Sequence, residues 1–591
     1  MITTEEINQK VQLAQSQHKA KQFEQANRTY VDLLSAVTHP DIMHLYANFL
    51  LDLKQPNKAI TVLIDAIRLS PSSAPYHNTL GLAYRNINND NEALEHFNRA
   101  IALAPNFAPA YLNLGQIFRA KRKWTEALAL FKKGLSHDPK NPNIYLDIGN
   151  LLRDTQRWEE SISFFNKALL LNSNFTKARY NLALTLRDKG DYSQALVLIN
   201  HLITTNPAYP KAVLLRGELL EHSGELQRAM EDYRNCLKID RTFTEAYWSI
   251  ANISEVDFSD KDRKEMIELL DHELTPRQKV FLCFSLAKAF EEKKEYQESF
   301  AYLEKGNMIK NSLIVYDKRK HTKELQLIKS IFSQEYINSL VGLTNNHIKP
   351  IFILGVPRSG TSLIEQILTS YSVISGGGEI TTMAEIVFER LPRKKQTNWV
   401  DSLRDLDKQI LEELAAFYIH KNNSVVKSAF CFTDKLPFNY TIIGLIYAMF
   451  PNAKFIHVYK NPIDGCFSCY KQLFTAGQEF SYCLDNLSDY YLDYQNLMQH
   501  WNAIIPKNVI YNISYEKLIE NPEKQMRAIL GFINIPFDKK CLDFHKQSRT
   551  VSTASSGQVR RPLFNTSIRR WEKYRPFLNK LTKRLTEEQS F

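Results

Sequence analysis

Small and apolar residues return at a fixed step of 34 through the first half of the chain. One column holds Ala47, Gly81, Gly115, Gly149, Ala183, Gly217 and Ala251, and a second holds Ala59, Ala93, Ala127, Ser161, Ala195 and Ala229. A third column is large: Phe97, Phe131, Phe165, Ile199 and Tyr233. Pro71, Pro105, Pro139 and Pro207 keep the same step, with Ser173 filling the gap. Each period predicts a pair of helices. The small residues let the two approach closely, the aromatic fills the space toward the next pair, and the proline separates one unit from the next. Ala26 points to an earlier, weaker unit.

After Lys349 the pattern changes. Short apolar runs of strand type appear at Ile351–Leu354, Lys454–Tyr459 and Val509–Ile513, separated by stretches of helical periodicity. Strands alternating with helices predict a parallel sheet, whose ligands bind beyond the carboxyl ends of the strands.

The periodic half closely resembles the tetratricopeptide repeat (TPR), with roughly six to seven units over residues 10–255. The resemblance implies a superhelix with a concave groove of the kind that binds peptides. The array either recruits an acceptor protein or peptide, or supports the second half or pairs it as a homodimer. Residues 256–345 are expected to be a helical extension with one further TPR-like hairpin, marked by Ala287, Tyr296, Ser299, Phe300 and Gly306. Asn345-Asn346-His347 is the expected junction to an α/β domain over 346–591.

The chemistry concentrates in Ile351–Glu379, IFILGVPRSGTSLIEQILTSYSVISGGGE. A buried-type strand runs into Gly355-Val356-Pro357-Arg358-Ser359-Gly360-Thr361-Ser362, and Leu363, Ile364, Ile367 and Leu368 then recur at helical spacing. Strand, glycine loop and helix start together direct backbone N–H groups and the positive end of a helix dipole at one anion. Gly355 and Gly360 have Walker A spacing, but Thr361 stands where that loop carries its lysine. The strand at 454–459 runs into Lys460 rather than acidic residues. An anion site is therefore expected, poorly suited to cleaving a magnesium nucleotide.

Composition changes this picture little. The net charge of +11 fits an anionic ligand but is spread over 591 residues, and no nucleic-acid-binding motif is present. The N-terminus has no signal-peptide pattern and no apolar window is long enough to span a membrane, so a cytoplasmic location is expected. Seven scattered cysteines point to reduced thiols. Cys466 and Cys469 form a lone CxxC without the further ligands that zinc needs.

GVPRSGTSLIEQIL resembles the 5′-phosphosulfate loop of sulfotransferases, and the domain order is similar to that of bacterial TPR-containing members, with tyrosylprotein sulfotransferases close by. The resemblance covers about residues 349–575. It implies an α/β P-loop-like domain with a central parallel sheet, and 3′-phosphoadenosine 5′-phosphosulfate (PAPS) as donor, with 3′-phosphoadenosine 5′-phosphate (PAP) as product and no metal. It implies that Arg358, Ser359, Gly360, Thr361 and Ser362 wrap the 5′ end. Lys460 and Ser468 would hold the 3′-phosphate, although the family's basic residue there is usually arginine; a lysine keeps the charge and loses the bidentate fork. Tyr515 would lie near the adenine, and Ser555, Gln558, Val559 and Arg560 in a segment folded over the donor, with Trp571 and Tyr574 packing. Glu379, 21 residues after Arg358, matches the base of the tyrosylprotein branch. Lys435, in FTDKLPFNY, would stabilise charge on the leaving group, with Arg358 a second candidate. His457 lies inside a strand pattern and is read as packed. The acceptor is left open between a protein tyrosine, a carbohydrate and a small hydroxyl compound. Two competing readings are a TPR scaffold with a degenerate transferase domain, and a P-loop kinase, which Thr361 disfavours.

Overall fold

The computed structural model describes residues 3–253, 258–344, 347–392, 398–426, 431–474, 477–546 and 568–587. The chain falls into two compact units, Met1–Leu219 and Leu220–Phe591.

The first unit is a series of helical hairpins. Inner helices Pro40–Asp52, Ala74–Asn86, Ala108–Ala120, Pro142–Asp154 and Thr176–Lys189 alternate with outer helices Pro56–Leu69, Asp90–Leu103, Trp124–His137, Trp158–Leu171 and Tyr192–Thr205. A left-handed residue turns each pair: Lys54, Asn88, Arg122, Gln156 and Gly190, each 34 after the last. The small column works by close approach. A Cβ at Gly81, Gly115 or Gly149 would stand 2.5–2.6 Å from a ring carbon of Phe97, Phe131 or Phe165, the aromatic of the same hairpin. Phe97 also shares its core with Leu114 and Ile117 of the next inner helix, so one ring seals both its own hairpin and the following unit. At the proline column the backbone carbonyl is tied by a side chain six residues on. Tyr111 donates to Pro105 O (2.9 Å), Tyr145 to Pro139 O (3.0 Å) and Arg179 to Ser173 O (2.5 Å).

The second unit opens with helices, among them the hairpin Pro276–Glu292 and Tyr296–Ser312. This hairpin repeats the local geometry of the array. Lys294 is left-handed at the turn, and Ser299 Oγ donates to Ala287 O at 2.7 Å as Ser161 Oγ does to Gly149 O at 2.8 Å. Phe284, Phe300, Leu325 and Phe332 share one core with Phe352 and Phe455 of the sheet, so these helices belong with the sheet domain in packing. The compact-unit division at 219/220 accordingly lies before the 255 boundary read from the repeat spacing. Asn345 and Asn346 of the expected junction lie outside the described residues.

The sheet has five strands: β1 (Pro350–Leu354), β2 (Ile374–Gly376), β3 (Cys431–Lys435), β4 (Lys454–Tyr459) and β5 (Ile510–Ser514), in the order β2-β3-β1-β4-β5. Every pairing is parallel. The period of two sends Ile351 and Ile353 into a core with Leu363, Ile364, Ile367 and Ile529 on one face, and Phe352 and Leu354 into a core with Tyr418, Phe455 and Trp501 on the other. Because all strands run the same way, the residues that leave β1, β3, β4 and β5 gather at one edge.

Candidate active site

β1 delivers the anion loop to that edge. Its shape depends on two glycines. At Gly355 a Cβ would meet Val458 O at 2.2 Å, so the loop leaves the strand pressed against β4. At Gly360 φ is +104°, and a Cβ would lie 2.5 Å from Tyr515 Cδ2. Between them Arg358 is itself left-handed (φ +69°), a conformation uncommon for any residue that carries a Cβ. Helix Thr361–Leu368 starts at Gly360, with all its residues buried. Ser359 is 1% exposed, and its Oγ has no hydrogen-bond partner among the described residues.

The ends of β4 and β5 meet this loop. Lys460 follows β4, is buried, and places Nζ 5.3 Å from the Tyr515 ring centre. Tyr515 follows β5 and packs on Gly360, so loop, lysine and tyrosine form one assembly. Ser468 lies on helix Pro462–Tyr470, half-buried, two turns into the element that Lys460 precedes. Cys469, on that helix, donates its S–H to Pro357 O at 3.1 Å, and burial raises its thiol to about 12. The CxxC therefore supports the loop from beneath as an inert pair of thiols. Among the described residues no group of three or more His, Cys, Asp or Glu is placed to hold a metal ion.

Cations outnumber acids here. Burial lowers the Arg358 and Lys460 side chains, and Arg570 lowers both further. Lys471 is lowered to about 8 by burial, against the pull of Glu291, to which it is ion-paired; Arg570 Nε lies 3.4 Å from the same carboxylate. Lys288 is lowered to about 7, chiefly by burial and then by Lys471 and Arg358. Its ammonium group is 3.2 Å from Ala251 O and 4.7 Å from the Trp248 ring centre. Lys288 and Glu291 come from the TPR-like hairpin, so the helical extension supplies charge to the site. The loop motifs gave no hint of them, because they lie about 70 residues upstream.

The second half of the site lies between β2 and β3. Lys435 ends β3, is 1% exposed, and is ion-paired with Glu379, whose side chain is 44% exposed. The glycine turn Gly376–Gly378 is pinned. Gly377 N donates to Thr433 O (2.9 Å), Lys435 N donates to Gly378 O (2.8 Å), and Gly378 is left-handed (φ +66°). The glycines are needed because a Cβ at Gly377 would lie 2.4 Å from Thr433 O. Glu365, on the loop helix and 4% exposed, accepts from Gly378 N (2.8 Å) and Thr433 Oγ1 (2.9 Å). Asp434, buried on the opposite face of β3, accepts from Tyr418 OH (2.7 Å) and Asn439 Nδ2 (3.1 Å), and burial pushes its carboxyl up to about 7.

His457 is packed in β4, as read. Its Nδ1 lies 2.6 Å from Asn512 Oδ1, its Nε2 contacts the Tyr494 hydroxyl, and burial lowers it to about 4. Tyr574 is fully buried against Phe467 and Trp571 is 8% exposed, both packing residues. Ser555, Gln558, Val559 and Arg560 lie outside the described residues.

In the first unit a further column stands at the 34-residue step: Arg85, Arg119, Arg153 and Arg187, all on inner helices. Together with neighbouring polar residues it links successive repeats. Asn113 donates to Asn78 (2.8 Å), Gln116 to Asp147 (2.6 Å), Arg119 to Asp154 (2.7 Å), Arg153 to Asn181 (2.9 Å) and Arg187 to Glu218 (2.7 Å). Asn150 Oδ1, in the same row, is buried without a partner among the described residues.

Comparison with known proteins finds two families along the chain. Residues 350–539 match the model of the sulfotransferase family, and residues 74–107, 118–185 and 180–240 match models of the tetratricopeptide repeat. An uncharacterized protein of Aquifex aeolicus is 32% identical over 384 residues, covering 62% of this chain and 49% of that protein. Protein-tyrosine sulfotransferase A of Caenorhabditis elegans is 27% identical over 244 residues, covering 37% of this chain and 60% of that one. The chain thus spans about half to three fifths of the length of these two relatives. The crystal structure of YrrB, a TPR protein with an unusual peptide-binding site, is 21% identical with a TM-score of 0.26, covering 32% of this chain and 96% of that one. Among the described residues no helix is long and apolar enough to cross a membrane.

Proposed function

We propose that this chain, which joins tetratricopeptide repeats to a sulfotransferase-family domain, moves a sulfuryl group from PAPS to an acceptor hydroxyl, a tyrosine of a peptide or protein held by the repeat array. The observation that carries this reading is the placement of two half-sites at one sheet edge: the Arg358–Ser362 loop with Lys460 and Tyr515, and the Glu379–Lys435 pair beside it at the ends of β2 and β3. The named tyrosine sulfotransferase relatives support the reading, and so does the match over residues 350–539.

The residues present fit a donor phosphorylated at both ends of its nucleoside. Among the described residues Ser359 Oγ is a buried hydroxyl in want of a partner, and the cations Arg358, Lys460, Lys471, Lys288 and Arg570 are countered by Glu291, Glu292, Asp464 and Glu516. Arg358, Ser359, Gly360, Thr361 and Ser362 would hold the 5′ end, Lys460 and Ser468 the 3′-phosphate, and Tyr515 the adenine. When bound, the donor supplies an electrophilic sulfuryl group on a phosphate leaving group.

Glu379 Oε1 then serves as the proton acceptor for the incoming hydroxyl, which requires it to exchange its contact with Lys435 for one with the acceptor. Lys435, buried and fixed at the end of β3, stabilises negative charge gathering on the leaving side. Its loss of the Glu379 partner is offset when that charge arrives. In the array, Asn150 Oδ1, buried without a partner among the described residues, is an acceptor for a main-chain N–H of a bound peptide.

Thermal-shift titration with PAP against ATP and Mg²⁺ tests the donor. At about 100 times Kd a ligand stabilises by about 2.7 kcal/mol, so PAP should raise Tm by several degrees and ATP with Mg²⁺ should not. A preference for ATP with Mg²⁺ would overturn the assignment.

A further inference from the structure

Glu365 is the one carboxylate on the buried helix Thr361–Leu368, beside the apolar Leu363, Ile364, Ile367 and Leu368, and it is 4% exposed. A buried carboxylate is costly unless its oxygens are hydrogen-bonded. Here one oxygen, Oε1, accepts two bonds from different elements: Gly378 N at 2.8 Å and Thr433 Oγ1 at 2.9 Å. The residue after Gly378 is Glu379, and the second residue after Thr433 is Lys435, the two members of the ion pair. Thr433 and Lys435 share one face of β3 by the period of two. The helix carrying Glu365 is the one that starts at Gly360, at the anion loop. A single buried atom therefore joins the loop helix, the glycine turn and the strand that bears the lysine.

We propose that Glu365 is a positioning residue that sets the place of Glu379 relative to Lys435 and the anion loop. The inference rests on the reading of Glu379 as the base. Without Glu365, the Gly378 amide and the Thr433 hydroxyl lose a common acceptor. The left-handed Gly378 then keeps its carbonyl bond to Lys435 N but loses its amide anchor, which shifts the Glu379 carboxylate relative to Lys435. The anion loop, built from Gly355, Gly360 and the Tyr515 contact, does not depend on that oxygen.

The test compares Glu365→Ala with Glu365→Gln in the full chain. A misplacement of about 1 Å costs on the order of 100-fold in rate. E365A should lower kcat for sulfuryl transfer by that order while PAP affinity stays within about threefold, and E365Q, which keeps Oε1, should recover most of the rate. Hydrogen exchange gives a readout independent of transfer: the 374–380 peptide should lose protection in E365A and keep it in E365Q. Unchanged protection in E365A overturns the proposal whatever the activity. So does an E365A protein that loses PAP affinity as much as kcat. If protection changes as expected but Glu379→Gln retains full transfer, the pin stands as structure, and both the base assignment and the positioning role given to Glu365 fail.

Discussion

Replacing Gly360 by alanine probes the assembly of loop, tyrosine and lysine. Two costs can be separated. A Cβ residue at φ +104° pays about 1–3 kcal/mol of backbone strain. The new methyl group would also lie 2.5 Å from Tyr515 Cδ2 and 3.1 Å from Cε2, which forces the ring aside, an overpacking cost of about 1–3 kcal/mol. The ring cannot move without disturbing Lys460, whose Nζ sits 5.3 Å from its centre. The total is about 2–6 kcal/mol. In a Tyr515→Ala background the second cost disappears and only the strain remains. A double-mutant cycle on Gly360→Ala and Tyr515→Ala should therefore show a coupling of about 1–3 kcal/mol. Native-state hydrogen exchange of the 350–368 peptide reads the local opening free energy, which suits a chain of two compact units better than one global unfolding curve. Equal cost of G360A in both backgrounds would refute the packing account of this loop.

Other expectations follow from the same geometry. Arg358→Ala and Lys460→Ala should each weaken PAP binding at least tenfold by calorimetry, the loss of a charge-assisted contact being worth about 1.5–3 kcal/mol; unchanged affinity in both removes the cradle. Protein stability should carry a histidine signature. His457 titrates at about 4 when folded against about 6.5 when unfolded, so between these values the unfolded chain holds a proton that the folded chain does not. Stability then falls as pH drops from 6.5 toward 4, by up to about 3 kcal/mol, and this contribution is fully present above 6.5. The difference in urea midpoint between wild type and His457→Gln should shrink as pH falls through that window; a pH-independent difference contradicts it.

Much of this fold is legible in the chain because its physics is periodic. A step of 34 can arise only if each hairpin meets its neighbour in the same way, and Gly115 against Phe131 repeats Gly81 against Phe97 to within about 0.2 Å. β1 is a continuous apolar run, and β4 and β5 are mostly apolar, so these three announce themselves. β2 and β3 do not. β2 has three residues, and β3 reads Cys-Phe-Thr-Asp-Lys, where buried Asp434 and Lys435 are satisfied by partners that hydropathy cannot see. Local motifs located Arg358, Glu379, Lys435 and Lys460, since each stands beside a loop or strand end with a recognisable pattern. Glu365 was hidden because its role comes from Gly378 and Thr433, 13 and 68 residues away, and Lys288 because it lies in a helical hairpin that resembles a repeat. The one signal for Glu365 was a lone acid among Ile364, Ile367 and Leu368.

The most direct test of the account uses PAPS radiolabelled in its sulfuryl sulfur. The full chain and its Glu379→Gln variant, which keeps a hydrogen-bonding group opposite Lys435, are each incubated with this donor and a protein lysate, and label on tyrosine is quantified. The account predicts transfer by the wild type and a loss of at least 100-fold in the variant, the effect expected from removing a general base, with PAP binding retained in both. No transfer to any acceptor by the wild type, or equal transfer by Glu379→Gln, would contradict it.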